Sequence, residues 1–182
     1  MMIFTPGNSK EKNRKGDCDV LTFAPEERTD IIRRLKDINF DNEVLKKNYQ
    51  TIDWFDFDCI TVLMKGDDIL GFSSIWHRYK YYRKGEVRVL NRYWEDPSLR
   101  QPGHELAKTH IISTINHQLT FAKQLGYTSA FISREKNPRM LRKLLDGIEK
   151  KTNTIWTLSD KKVCVCKKEN PGCWQYKGET KL

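Results

Sequence analysis

The chain has 182 residues, 38% of them hydrophobic, enough to bury a core in a single domain spanning residues 18–182. Its 33 Lys and Arg outnumber 24 Asp and Glu, and the net charge of +9 draws anions: phosphates, nucleic acid or acidic surfaces. No apolar run reaches the roughly 18 residues of a membrane span, and no charged-then-apolar leader opens the chain, so a cytoplasmic protein without a membrane partner is expected.

Residues 1–17 interleave Lys10, Lys12, Arg14 and Lys15 with Pro6, Gly7 and Gly16 and read as a flexible basic arm. Val20–Phe23 reads as a first strand. Pro25, followed by Glu26 and Glu27, marks a helix start, and Ile31, Ile32, Leu35 and Ile38 recur at helical spacing, which predicts a helix from Pro25 to about Asp37. A second short helix is expected over Asn42–Tyr49. Cys59–Lys65 and Ile69–Arg78 flank Gly66-Asp67-Asp68 and read as a β-hairpin. From Trp76 through Arg78, Lys80 and Arg83 to Arg88 and Arg92, aromatic and cationic residues alternate. Rings and cations together suit nucleobases and phosphates, and they equally suit an edge strand with a solvated charged loop.

The stretch from Asn91 to Leu145 carries the most information. Tyr93, Trp94 and Glu95 close a strand, and Arg100, Gln101, Pro102, Gly103, His104 and Glu105 turn directly into a helix that runs to Gln124 and stops at Gly126. The first turn of a helix has amide N–H groups without intrahelical partners, and the macrodipole adds positive charge there. With Gly103 clearing the backbone and Arg100 adding a cation, this turn is a candidate anion site. An apolar strand over Thr128–Ser133 leads to Asn137-Pro138 and a second helix through Ile148. Thr154–Leu158, Val163–Lys167 and Cys173–Tyr176 read as closing strands.

These residues resemble the GNAT acyltransferases, whose signature is x-Pro-x-x-Arg-x-x-Gly-x-Gly/Ala before a helix, a strand and a second helix opening on Asn. Pro97, Arg100, Gly103 and Asn137 match, whereas Glu105 stands where the family prefers Gly or Ala. The resemblance covers roughly residues 60 to 150. It implies an α/β (α+β) three-layer fold with a twisted mixed sheet and helices on both faces. It also implies acetyl-coenzyme A as cofactor, held by Tyr93, Trp94, Glu95, Arg100, Gln101, Pro102, Gly103, His104, Glu105 and Asn137. In that family the first two helices cover the coenzyme and acceptor sites.

Acyl transfer to an amine needs a proton acceptor for the amine and a proton donor for the thiolate. The family often places a Glu or His base on the strand before the Arg-x-x-Gly turn, where this chain has Val87–Asn91. Glu86 is the nearest acid, and Glu86 and Asn91 are the catalytic candidates. Leu144 stands where the family commonly has a Tyr that protonates the thiolate. Two readings follow: an acetyltransferase acting on an unidentified amine of a small molecule, protein or nucleobase, or a GNAT-like nucleic-acid-binding or interaction protein that has lost catalysis.

Five cysteines, Cys18, Cys59, Cys164, Cys166 and Cys173, form no paired zinc-site spacing and are expected to be reduced thiols. His110 and His117 share a helix face without a carboxylate or Cys beside them, so they are expected at the surface, and no metal site is predicted.

Overall fold

A computed structural model of the chain describes residues 18–40, 42–76, 84–99, 105–166 and 171–182. The basic arm, Arg78, Lys80 and Arg83 of the aromatic–basic strip, and Arg100–His104 of the candidate anion turn lie outside these residues.

The elements run β1 (Asp19–Phe23), α1 (Thr29–Lys36), α2 (Glu43–Tyr49), β2 (Cys59–Lys65), β3 (Asp68–Trp76), β4 (Glu86–Glu95), α3 (Glu105–Gln124), β5 (Ser129–Arg134), α4 (Pro138–Lys151), β6 (Thr157–Leu158), β7 (Val163–Cys164) and β8 (Trp174–Lys181). The strands form one mixed sheet in the order β1-β2-β3-β4-β5-β8-β6, with β7 paired to β8. Among the described residues, only β4 and β5 run parallel. A parallel pair needs a crossover, and α3 provides it.

Local chemistry sets the helix ends. The Asn42 side chain accepts from the amides of Val44 (2.9 Å) and Leu45 (3.3 Å) and so starts α2. Asn137, in the left-handed region at φ 60°, accepts from the Met140 amide at 3.2 Å, and Pro138 follows at the first helical position of α4. Gly126 ends α3 at φ 88°, a conformation that costs glycine nothing. The helix expected from Pro25 splits into a 3-10 turn, Pro25–Arg28, and then α1.

Helices α3 and α4 cover one face of the sheet. There Ile115, Leu119, Leu141, Leu145 and Ile148 pack on Val87, Val89, Ala130 and Ile132. At Gly178 a Cβ would stand 2.6 Å from the Leu145 side chain, so glycine lets α4 seat on β8. Helices α1 and α2 cover the opposite face over β1–β3. Ile31, Ile32 and Leu35 meet Trp54, Phe72 and Trp94 there, with the Phe72 and Trp94 rings stacked at 5.4 Å. This is the three-layer arrangement expected from the sequence.

Several expectations are corrected. The last strand reaches Lys181 rather than ending at Tyr176, because Lys177 and Glu179 break the apolar alternation while still pairing Ser133 and Phe131 of β5, respectively. Cys166 and Cys173 form a disulfide. Pairing of Val163 with Gln175 and Cys164 with Trp174 brings their Cα atoms to 5.8 Å, a proximity that spacing alone does not reveal. Cys59 and Cys164 are free thiols. His110 is buried rather than exposed, because it shares the sheet-facing stripe of α3 with Thr114 and Gln118 at four-residue intervals. Among the described residues no group of His, Cys, Asp or Glu could hold a metal, and no helix is long and apolar enough to cross a membrane.

Candidate active site

Strand β4 is irregular in a specific way. Phe72, Ser74 and Trp76 of β3 pair with Trp94, Asn91 and Arg88, so each two-residue step on β3 is matched by three residues on β4. That count describes two successive β-bulges. Each contains a non-glycine residue in the left-handed region, Leu90 at φ 53° and Arg92 at φ 55°. Such a conformation costs an L-residue roughly 1–2 kcal/mol, and strain of this kind gathers at functional sites.

A bulge bends its strand and increases its twist. The consequence appears on the other edge of β4. Glu86, Val87 and Arg88 pair with Ser129, Ala130 and Phe131 of β5, and the ladder ends there. Beyond it, Val89–Glu95 and Ile132–Arg134 continue as separate strands. The sheet therefore opens into a wedge at the carboxyl ends of its two parallel strands. Helices α3 and α4 begin at this open end, where ligands of α/β sheets characteristically bind.

Buried polar side chains hold the bulges. The Asn91 carbonyl accepts from Ser73 Oγ (3.1 Å) and Ser74 Oγ (3.2 Å), and Asn91 Nδ2 donates to Ser74 Oγ at 3.1 Å. The Leu90 amide donates to Gln118 Oε1 at 2.7 Å. Gln118 Nε2 in turn donates to Thr61 Oγ1 at 3.2 Å, and Thr61 shares a hydrogen bond with Thr22. Gln118 is fully buried on α3, so one helix both crosses over the sheet and fixes the strand distortion. The sequence signals this poorly: neither bulge carries a glycine, and a glutamine inside a helix reads as surface.

The structure divides the remaining candidates. Asn91, Tyr93, Trp94 and Glu95 lie on the wedge side of β4. The Trp94 ring is spent in the aromatic core, which leaves its backbone at the site. The Tyr93 hydroxyl donates to Glu95 Oε2 at 3.1 Å, and its carbonyl accepts from the Tyr49 hydroxyl at 3.4 Å. Burial raises the Tyr49 hydroxyl above the usual tyrosine range, with the Arg92 charge acting against it. Glu105 opens α3, and the Asn137 side chain caps α4, each at the open end.

Glu86 lies at the closed end, five residues and roughly 15 Å from Asn91 along the strand. It is buried and ion-paired with Lys177, which also reaches Glu179 at 3.1 Å and sits over the Phe131 ring. The two catalytic candidates therefore do not converge on one atom. Leu144 packs against the α3–α4 core. Tyr176 packs against that same core and stands opposite Arg134 at the open end of β5.

No family model matches the sequence, and no curated protein matches it either. Solved structures do. An assigned N-acetyltransferase from Lactobacillus plantarum superposes with a TM-score of 0.52 at 13% identity, covering 91% of this chain and 99% of its own. An assigned acyl-CoA N-acyltransferase from Klebsiella pneumoniae gives 0.50 at 13% identity, covering 91% and 97%. A CoA-dependent acyl-homoserine lactone synthase, solved with SAM and isopentyl-CoA, gives 0.53 at 9% identity, covering 91% and 83%. At such identities the likeness concerns the fold, and the chain has the fold of the GNAT acyltransferases.

Proposed function

We propose that this chain, built on the GNAT fold, transfers an acyl group, acetyl being the simplest, from coenzyme A to an amine acceptor. The observation that carries this reading is the wedge between β4 and β5, made by two strained bulges and flanked by two helix N-termini. The fit to coenzyme A follows from the chemistry present. Past Arg88 and Phe131 two strand edges separate, and an extended chain with amide groups, such as the pantetheine arm, can use their backbone donors and acceptors.

At the open end, the first amides of α3 from Glu105 onward suit a diphosphate, with the sequence placing Gln101, Pro102, Gly103 and His104 just before them and Arg100 as the cation. Asn137 holds the start of α4 against the same end. Backbone groups of Tyr93, Trp94 and Glu95 line the β4 side. In the transfer, the amine nitrogen bonds to the thioester carbonyl carbon, the C–S bond breaks, the amine loses a proton and the thiolate gains one. Asn91 positions the strand at this point through its paired serine contacts. We assign the thiolate's proton to Tyr176, the phenol at the open end on the face where Leu144 offers none. Glu86 acts through Lys177 as a structural ion pair that keeps the closed end joined.

Calorimetric titration of coenzyme A into the wild type and Gly103→Val tests the reading. The wild type is expected to bind, and the added side chain to weaken binding at least tenfold with folding retained. Absence of binding by the wild type, or equal binding by both, would overturn it.

A further inference from the structure

We propose that the Cys166–Cys173 disulfide is a redox-sensitive clasp on the wedge. Oxidised, it holds the open end of β5 in place; a dithiol that reduces it loosens that end and weakens coenzyme A binding. The effect on coenzyme A rests on the acyl-transfer reading, whereas the effect on β5 stands apart from it.

The clasp sits where β4 and β5 part. Phe131 is the last residue of β5 laddered to β4, opposite Arg88. It is buried with Val165, and Trp76, Val163 and Cys173 pack around the two. One half of the disulfide therefore belongs to the small apolar cluster at the point where the sheet opens. Two residues further along β5, buried Ser133 donates to Gln175 Oε1 at 2.6 Å. Gln175 is also the residue of β8 that pairs with Val163 of β7, and its neighbour Tyr176 stands opposite Arg134. The open end of β5, the start of β8 and β7 thus form one chain of contacts, and the disulfide ties its outer end.

Two features mark the bond as a clasp that opens. The hairpin it closes is weak without it. Strand β7 pairs through Val163 and Cys164, and the Val165 amide adds a bond to the Cys173 carbonyl at 2.9 Å. So short a ladder is marginal by itself. The two large apolar clusters, under α3–α4 and under α1–α2, include neither Cys166 nor Cys173. Reduction can therefore free this hairpin while the rest of the sheet stays folded. The second feature is access. Cys166 is buried, but Cys173 is half-buried, and exposed bridges are the labile ones. Cys164, two residues from Cys166, keeps a half-buried thiol that donates to the Cys166 carbonyl at 2.7 Å. A free thiol beside a disulfide is a partner for exchange, which suits a reversible bond better than a permanent one.

In the reduction, one thiolate of the dithiol bonds to Cys173 Sγ, the S–S bond breaks, and Cys166 leaves as a thiolate that takes a proton. The second thiol of the reductant loses its proton and attacks the reductant sulfur joined to Cys173. Cys173 is released as a thiolate and is protonated in turn. Two electrons and two protons pass to the protein, and the dithiol becomes a disulfide.

Hydrogen exchange of the full chain before and after reduction with dithiothreitol tests the clasp, with thiol counting to confirm each state. Segments 132–134 and 174–177 are expected to exchange about tenfold faster once reduced, with β1–β3 unchanged. Cys173→Ser should match the reduced chain under both conditions and Cys164→Ser the wild type, with melting temperature confirming that each variant is folded. Coenzyme A carries a thiol that would itself attack the bridge, so affinity is read with desulfo-coenzyme A. It is expected to bind about tenfold tighter to the oxidised chain than to the reduced one. Unchanged exchange, a bridge that opens only when the whole chain unfolds, or equal affinity of the two forms would overturn the proposal. Faster exchange with binding by neither form would uphold the clasp and sink the acyl-transfer reading instead.

Discussion

From Glu86 to Arg88, strand β4 is laddered on both sides, to β3 and to β5. From Leu90 to Glu95 it keeps β3 and parts from β5. The closed half is secured by a charge pair from the far end of the chain, Lys177 to Glu86, and by ordinary apolar packing of Val87 and Val89. The open half is secured by neutral hydrogen bonds with backbone groups that the bulges displaced: Ser73 and Ser74 donate to the Asn91 carbonyl, and Gln118 accepts from the Leu90 amide. One strand thus combines a half paired along both edges with a half paired along one. Stability should depend most on the first and ligand binding most on the second.

The largest expected effect breaks the closed half. Lys177→Met leaves buried Glu86 without this cation and should cost about 3–5 kcal/mol in chemical denaturation. Adding Glu86→Gln should recover most of that loss. Coenzyme A affinity of the folded single mutant should stay near wild type; a tenfold loss would mean that the two halves are not separable.

Gln118→Leu attacks the open half. It leaves the Leu90 amide buried without its acceptor and removes the donor to Thr61, for an expected loss of about 1–3 kcal/mol. Here coenzyme A binding should fall along with stability. Unchanged binding would show that the bulges hold their shape without Gln118.

His110 sits two turns before Gln118 on the same stripe, and among the described residues neither ring nitrogen has a hydrogen-bond partner. His110→Leu replaces a buried unsatisfied ring with an apolar group of similar size and should stabilise by about 1 kcal/mol. A clear loss of stability instead would reveal a partner for the imidazole, such as a buried water. The opposite signs for Gln118 and His110 would separate a polar group that shapes the wedge from one that does not.

The smallest effect concerns strain itself. Arg92→Gly relieves a left-handed arginine and should raise stability by roughly 0.5–1 kcal/mol, part of the relief being offset by glycine's greater freedom in the unfolded chain. A lower melting temperature for the variant would show that the Arg92 side chain makes contacts worth more than the strain it carries.

Most elements were legible because their signals are local. The spacing of Ile31, Ile32 and Leu35, the caps Asn42 and Asn137, and the stop at Gly126 each act within a few residues. The match of Pro97, Arg100, Gly103 and Asn137 pointed to the right fold because it encodes an order of strand, turn and helix. That order is set along the chain, by periodicity and caps, and so sequence by itself determined the layers and the end of the sheet at which α3 and α4 begin. It did not determine the wedge. A bulge exists only as a mismatch between two strands, so the left-handed Leu90 and Arg92 have no signature within 86–95. The same holds for Gln118 beneath Leu90, for Cys166 against Cys173, and for Lys177 reaching Glu86 across 91 residues. Each is a pairing of segments whose register is settled only when the sheet closes, and tertiary structure alone decided them.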